Sequence, residues 1–334
     1  SECTRRVIWS KRGTSVSIDV LRAIQSLLPD VEIVQSDAPA DESYSGAYNE
    51  APRIAAAQCI EGQRLRAHRI TGEPEVRFAG FLDGIQRARI ACHRNGIPIV
   101  DGTVAAVVRV RVNRRFVTWG HRTPIVSRRL YMPLTLLKCE GRTETGGFEI
   151  VDTSHDEGTG ALVSRHPAAL RAVAFERVGR DRDNAERKLA ELWCADGSEP
   201  LFIDGGISGS GRVAAASCAV GVIKSHQTLF ADGDALDVVM SLKRGERSSV
   251  FTLSARQRSP VISWYLRLRD PRGHDAMFGL VRIEVSPTDD VAERANEVSR
   301  WVLGEVTPLS LPDGRWDRMA YGIRDCEQFL RAIA

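Results

Sequence analysis

Hydrophobic and polar positions along the chain fall into helical and extended periods in turn. Ser17 to Leu28 (SIDVLRAIQSLL) spaces Ile18, Leu21, Ile24 and Leu28 at helical intervals and Pro29 closes the run, which predicts a helix. The acidic stretch Asp30 to Pro52, with its Pro and Ser, predicts a loop or linker, and Ala55 to Ile70 a second helix. Three strand-like runs follow: VRFAGFLD at Val76 to Asp83, RARIACH at Arg87 to His93, and TVAAVVRVRV ending at Val112. Few turn-type residues separate the first two, so antiparallel pairing is the economical arrangement. After a poorly patterned insertion, Pro167 to Cys194 is helical, with Leu170, Val173, Ala174 and Val178 on one face and Ala185, Leu189, Leu192 and Trp193 on another. Strands are expected at Leu201 to Asp204, Ala214 to Lys224, Val250 to Leu253, Ile262 to Leu268 and Leu280 to Val285. Helices are expected at Ala235 to Lys243, Asp290 to Leu303 and Cys326 to Ile333, and no internal repeat is visible. Three antiparallel strands, a helix and a further strand is the order of an RNase H-like core. The expected class is therefore α/β, an RNase H-like core whose mixed sheet is flanked by helices. It spans 76–334 with a basic insertion at about 113–165, behind a partly helical N-terminal extension, 1–75.

Composition narrows the class. The 334 residues are 43% hydrophobic and 27% charged, as in soluble globular proteins. A formal net charge of +3 gives the molecule little field of its own, so a nucleic-acid partner requires a local basic surface. Seven cysteines occur without a CxxC pair or a histidine at zinc spacing, which predicts reduced thiols in the cytosol. The run VAAASCAVGVI at Val213 to Ile223 is shorter than the ~18 residues of a membrane span, and SECTRRVIW lacks a signal-peptide core. The expectation is a soluble cytoplasmic protein with no membrane partner.

A basic surface is available in one interval. Gly102 to Cys139 contains Arg109, Arg111, Arg114, Arg115, Arg122, Arg128, Arg129 and Lys138 and no acid, with Phe116, Trp119 and Tyr131 interleaved. Arginines that track phosphates beside aromatic platforms for unstacked bases suit a single-strand channel. Arg109 and Arg111 lie two apart on a strand and so point the same way. The competing account is that arginines on an exposed strand merely discourage edge pairing.

The acids fall at telling places. FLDGIQRAR puts Asp83, and LFIDGGISGSG puts Asp204, at the end of an apolar run, and RDRDNAERKLAEL before the latter offers Glu186 and Glu191. Asp-Gly is also a common turn dipeptide, which is the alternative account of each. Adjacent strand ends would let the carboxylates share divalent ions, and two such ions ~3.5–4 Å apart can activate water and stabilise a leaving oxygen in phosphodiester hydrolysis. Hard oxygen donors select Mg²⁺ or Mn²⁺. Gly84 is expected to let the chain leave the strand tightly, with Gln86, Arg87 and Arg89 facing DNA.

FLDGIQRAR with IPIVDGTVAAVVR, LFIDGGISGS with VGVIKSH, WYLRLRDP with GLVRIEV, and LPDGRWDRMAYGIRDCEQFLRA together resemble the bacterial branch of the NurA nuclease family over roughly residues 76–334. The resemblance implies an RNase H-like, Mn²⁺-dependent DNA nuclease that dimerises and works with a HerA-type hexameric translocase in DNA end resection. It assigns Asp83 and Asp204 as metal-binding aspartates and Glu186, which fits the spacing better than Glu191, as the site glutamate. It assigns Tyr321 as the C-terminal motif tyrosine. Archaeal members carry a histidine soon after that tyrosine; YGIRDCEQF has none, and Glu327 lies in its neighbourhood. Lys224 and His226, one strand beyond Asp204, are candidates to meet a phosphate or the outgoing oxygen. Asp83, Glu186, Asp204, Lys224 and Tyr321 form the expected catalytic set, and Arg87, Arg109, Arg111, Arg114, Arg115 and His226 the expected DNA contacts.

Two other functions remain open on the same residues. DGGISGSG resembles the phosphate-gripping turns of actin-like ATP-binding enzymes, which also use an RNase H-like core, although FLDGIQRAR offers one glycine and no GxxxxGK[ST] occurs. A non-catalytic DNA-binding scaffold would keep the basic surface and do no chemistry.

Overall fold

The computed structural model describes residues 16–33, 52–120, 124–156, 158–197, 199–253, 258–306 and 316–334. The expected loop at 30–52 falls largely outside them, as do Cys3, Arg122 and the LPDGR part of the last motif. The chain is α/β, with mixed sheet flanked by helices, and divides into two units. One takes residues 1–47, 86–104 and 127–181, and the other 48–85, 105–126 and 182–334, so the expected boundary at 75/76 lies inside the second. Strands Gly80–Arg94 and Ile97–Val112 and helix Pro167–Asp196 each begin in one unit and end in the other.

In the second unit, Leu201–Asp204 lies between Gly80–Arg94 and Ala219–Ile223 and runs parallel to both. Leu280–Val285 and then Val261–Arg267 continue the sheet antiparallel on one side, and Ile97–Val112 followed by the hairpin strand Arg115–Thr118 completes it on the other. Side chains alternate between two faces, as a strand's period of two requires. Phe81, Phe202, Ala105 and Val220 pack with Trp301, Ile323 and Cys326 of helices Val291–Glu305 and Tyr321–Ile333. Leu82, Ile203, Ala106 and Val108 pack with Ala185, Leu189 and Trp193 of the long helix. Each such large side chain stabilises the fold by ~1.5–3 kcal/mol. Gly322 lies so close to Phe81 that a Cβ there would sit 2.2 Å from the ring. The first unit packs helix Ile18–Leu27 through Val20 and Ile24 against Leu130, Met132 and Ile99, and its strand Phe148–Asp152 runs parallel to Ile125–Met132.

Three expectations are corrected. GFLD, the end of VRFAGFLD, and RARIACH are one fifteen-residue strand, Gly80–Arg94, which VRFA precedes outside any strand, and the chain turns at Asn95–Gly96, whose φ of 50° and 76° suit a type I′ hairpin. Ala55 to Ile70 is not helical but contributes the short strands Gln58–Cys59 and Ala67–Arg69. Their pairing with Phe251–Leu253 and Glu246–Ser248 outweighs local helix preference. Within Ala214 to Lys224, Ser210 caps a short helix, Gly211–Ala215, by accepting from the Val213 N–H, and the strand begins only at Ala219. Among the described residues, no helix is long and apolar enough to cross a membrane.

Candidate functional site

The acids meet in the second unit through sheet register. Leu201, Phe202 and Ile203 pair with Gly80, Phe81 and Leu82, so one step further Asp204 stands beside Asp83, ~4.8 Å away across the parallel pair. The two share phase with Phe81 and Phe202 and face the C-terminal helix. Asp83 does not end its strand, contrary to expectation, and its Oδ1 accepts from the Gly84 N–H at 2.8 Å. Asp204 does end its strand, and the chain leaves through Gly205 at φ +135°. On the same face Lys224 Nζ donates to Asp204 Oδ2 at 2.7 Å, and Arg318 holds the Lys224 carbonyl at 2.9 Å.

Glu186 arrives from the other face. It projects from the long helix onto Gly84, where a Cβ would lie 2.3 Å from its Oε1. Gly84 therefore admits a carboxylate against the strand rather than turning the chain, which replaces the role expected of it. Glu191, the rival candidate, is occupied elsewhere, accepting from Ser210 Oγ at 2.6 Å. Glu327, on the helix that covers Phe81, adds a fourth acid that acts on Asp83.

Burial first, and then the charges of Asp204 and Glu186, hold the Asp83 carboxyl well above the usual range, with Lys224 opposing and Glu327 adding to the rise. Burial likewise pushes Glu186 up to about 8, against the pull of Arg182 one turn away and with Asp183 and Asp204 adding to the rise. Such a group of acids gains from any cation that joins it. Glu284, which the sequence reading missed, supports the Asp204 loop from below. Its Oε2 accepts from the Ile207 N–H at 2.9 Å, and Arg282 holds its other oxygen at 2.7 Å. A lone glutamate within the buried strand LVRIEV was the available signal, since a buried carboxylate requires partners.

The remaining expected contacts are distributed differently. Arg109 and Arg111 do point the same way, but into the protein. Arg109 pairs with Asp325 at 2.8 Å and stacks over Phe329, and Arg111 makes two bonds to buried Glu305. Of the interleaved aromatics, Tyr131 is fully buried with its hydroxyl on Asp181, while Phe116, edge-on to Phe81, and Trp119, 5.1 Å from Trp193, are half-buried against the core. His226 turns inward, its Nε2 bonded to the Leu280 carbonyl. Burial lowers its pKa. Arg89 and Arg128 converge on Asp101 in the first unit, where Gln86 is buried and Arg87 half-buried. Arg114 and Arg115 are exposed at the hairpin tip, and Tyr321 opens the C-terminal helix just before Gly322.

Among the described residues, no group of three or more His, Cys, Asp or Glu is arranged to hold a metal ion. The donor chemistry nevertheless suits a hard divalent cation. The oxygens are carboxylate, burial and then neighbouring acids raise the pKa values of two of them, and the Lys224 ammonium already stands on Asp204 as a cation. No protein-family model matches this chain, and no curated protein matches it.

Proposed function

We propose that this chain is a divalent-cation-dependent DNA nuclease built on an RNase H-like core, of the NurA type. The observation that carries the proposal is the register that sets Asp204 beside Asp83 on one face, with Lys224 and Glu327 beside them. The strand order around them supports the fold: a hairpin strand, two long strands, then two short parallel strands reached through the long helix. Asp83 and Asp204, with Glu186 or Glu327 as the third acid, would hold Mn²⁺ or Mg²⁺, which supplies charge for water activation and for the leaving oxygen. Lys224 fixes the Asp204 carboxylate and brings positive charge to the place a phosphate must approach. Burial raises the Glu186 pKa, so positive charge joining the acids would favour its ionised form. DNA, a HerA-type translocase and a second copy of the chain are the partners that belong to this reading.

An actin-like nucleotide site is less well supported. A phosphate-gripping turn needs free backbone N–H groups, and in DGGISGSG the Ile207 N–H is taken by Glu284. The test is incubation of linear single- and double-stranded DNA with the protein and Mn²⁺, beside Asp83→Ala and Asp204→Ala. Cleavage by the wild type that both variants lose is the expected result. Undiminished cleavage by both removes the assignment, and ATP consumption in place of cleavage favours the nucleotide site. Glu186→Gln and Glu327→Gln in the same assay identify the third acid.

A further inference from the structure

Of the cysteines in the second unit, two stand together. Cys194, on the last turn of the long helix, and Cys218, in the turn before strand Ala219–Ile223, have their sulfurs 3.9 Å apart and joined by one S–H···S hydrogen bond. Far apart in sequence, they are brought together by the packing of the helix on the sheet. Cys218 is buried and Cys194 half-buried, with Gly197 exposed beside them. We propose that Cys194 and Cys218 are a modification site, a dithiol that peroxide converts into a reversible intramolecular disulfide.

Chemistry on both sides of the pair favours this. Cys218 Sγ donates to Cys194 Sγ and also lies 3.9 Å from the Gly197 carbonyl oxygen, and the hydrogen bonding it shares with Cys194 leads the effects that bring Cys218 down to about 7, with the Arg294 guanidinium contributing. Arg294 is fixed there by its bond to the Ser217 carbonyl at 2.6 Å. The shared hydrogen bond and burial move Cys194 the other way. Cys92 and Cys326 are buried alone and both pushed up by desolvation, so neither competes as a thiolate. The guanidinium of Arg294, bonded beside Cys218, favours Cys218 as the attacking sulfur, with Cys194 resolving.

The steps balance. The Cys218 thiolate attacks one oxygen of hydrogen peroxide, the O–O bond breaks, and the protein carries a sulfenic acid while the departing hydroxide takes a proton to become water. The Cys194 sulfur then attacks the Cys218 sulfur, the S–S bond forms, the S–O bond breaks, and hydroxide leaves with the Cys194 proton as a second water. Two thiols are oxidised by two electrons and one peroxide is reduced. The sulfurs need to approach from 3.9 Å to bonding distance, a movement within reach of a helix end and a turn. The bond would tie the helix that carries Glu186 to the strand that leads to Lys224, closing a loop of about 25 residues. None of this depends on the nuclease reading.

The test uses the full chain, treated with hydrogen peroxide, blocked with N-ethylmaleimide, digested without reductant and mapped by mass spectrometry. The expected result is a cross-linked pair of peptides holding Cys194 and Cys218, lighter by two hydrogens and reversed by dithiothreitol. The oxidised form should melt roughly 5 °C higher than the reduced form. In Cys194→Ser a sulfenic acid at Cys218 should be trapped by dimedone, and in Cys218→Ser the remaining Cys194 should stay alkylatable. Overturning results are both thiols remaining alkylatable in the wild type, cross-links between chains only, or oxidation of Cys218 to sulfinic acid with Cys194 untouched. The wild-type map decides alone where a variant fails to fold.

Discussion

Gly84→Ala tests the packing of Glu186 against the sheet more sharply than removal of an acid. Gly84 lies within a strand and not at positive φ, so the backbone accepts alanine, which gains ~0.4–1 kcal/mol through the unfolded chain. The new Cβ would lie 2.3 Å from Glu186 Oε1, 2.9 Å from Cγ and 3.0 Å from Cδ. Restoring an ordinary contact near 3.5 Å moves the carboxylate by about 1 Å. The obstacle is the end of a flexible side chain, so the cost is an off-rotamer Glu186, ~0.5–1.5 kcal/mol, and the net change in stability is small. A carboxylate misplaced by about 1 Å can lower a rate ~10²-fold. Gly84→Ala should therefore unfold in urea within about 1 kcal/mol of the wild type while Mn²⁺-dependent DNA cleavage falls ~10²-fold. In a Glu186→Ala background the methyl enters vacated space, and the added Gly84→Ala should change neither measurement further. Wild-type cleavage by Gly84→Ala, or an equal penalty for the methyl in both backgrounds, refutes the contact as the cause.

Arg111→Ala leaves the buried Glu305 carboxylate without its two-bonded partner and should cost roughly 3 kcal/mol in urea unfolding, and a loss below about 1 kcal/mol would show the pair to be dispensable. Arg114 sits at φ 63° on the exposed hairpin tip, so Arg114→Gly should gain about 1 kcal/mol of stability. The same change should lower the salt slope of DNA binding by about 1, and an unaltered slope would exclude a phosphate contact there. Burial alone would raise the Glu61 pKa, but the hydrogen bonds and charge of Arg247 outweigh it and the folded value lies below the usual 4.5. The unfolded state then binds more protons, so this stabilisation is fully present above pH 4.5 and is lost as pH falls through the folded value. Urea midpoints should separate wild type from Glu61→Gln most above that pH and converge under more acidic conditions; a constant gap contradicts the linkage.

How much was legible depends on where each residue's partners lie in the chain. Asp204 was placed correctly because its strand is short and its exit is written in the next residues, Gly205 and Gly206. Asp83 was misplaced because Asp83–Gly84 looks like the same exit, whereas the hairpin dipeptide that turns the strand is Asn95–Gly96, twelve positions on. The glycine after Asp83 answers to Glu186, a residue on a distant helix, and no local pattern announces such a demand. The ion pairs of Arg109 and Arg111 were hidden in the same way. The basic interval holds no acid in sequence, yet Asp325 meets Arg109 from 216 positions away and Glu305 meets Arg111 from 194. A stretch without local acids is therefore a stretch whose arginines are available to distant ones, and those pointing toward a covering helix are claimed first. Arg114 and Arg115 at the hairpin tip lie beyond any such cover and stay exposed. That criterion, applied to strand register and hairpin turns, separates the two meanings of an arginine run before any side chain is placed.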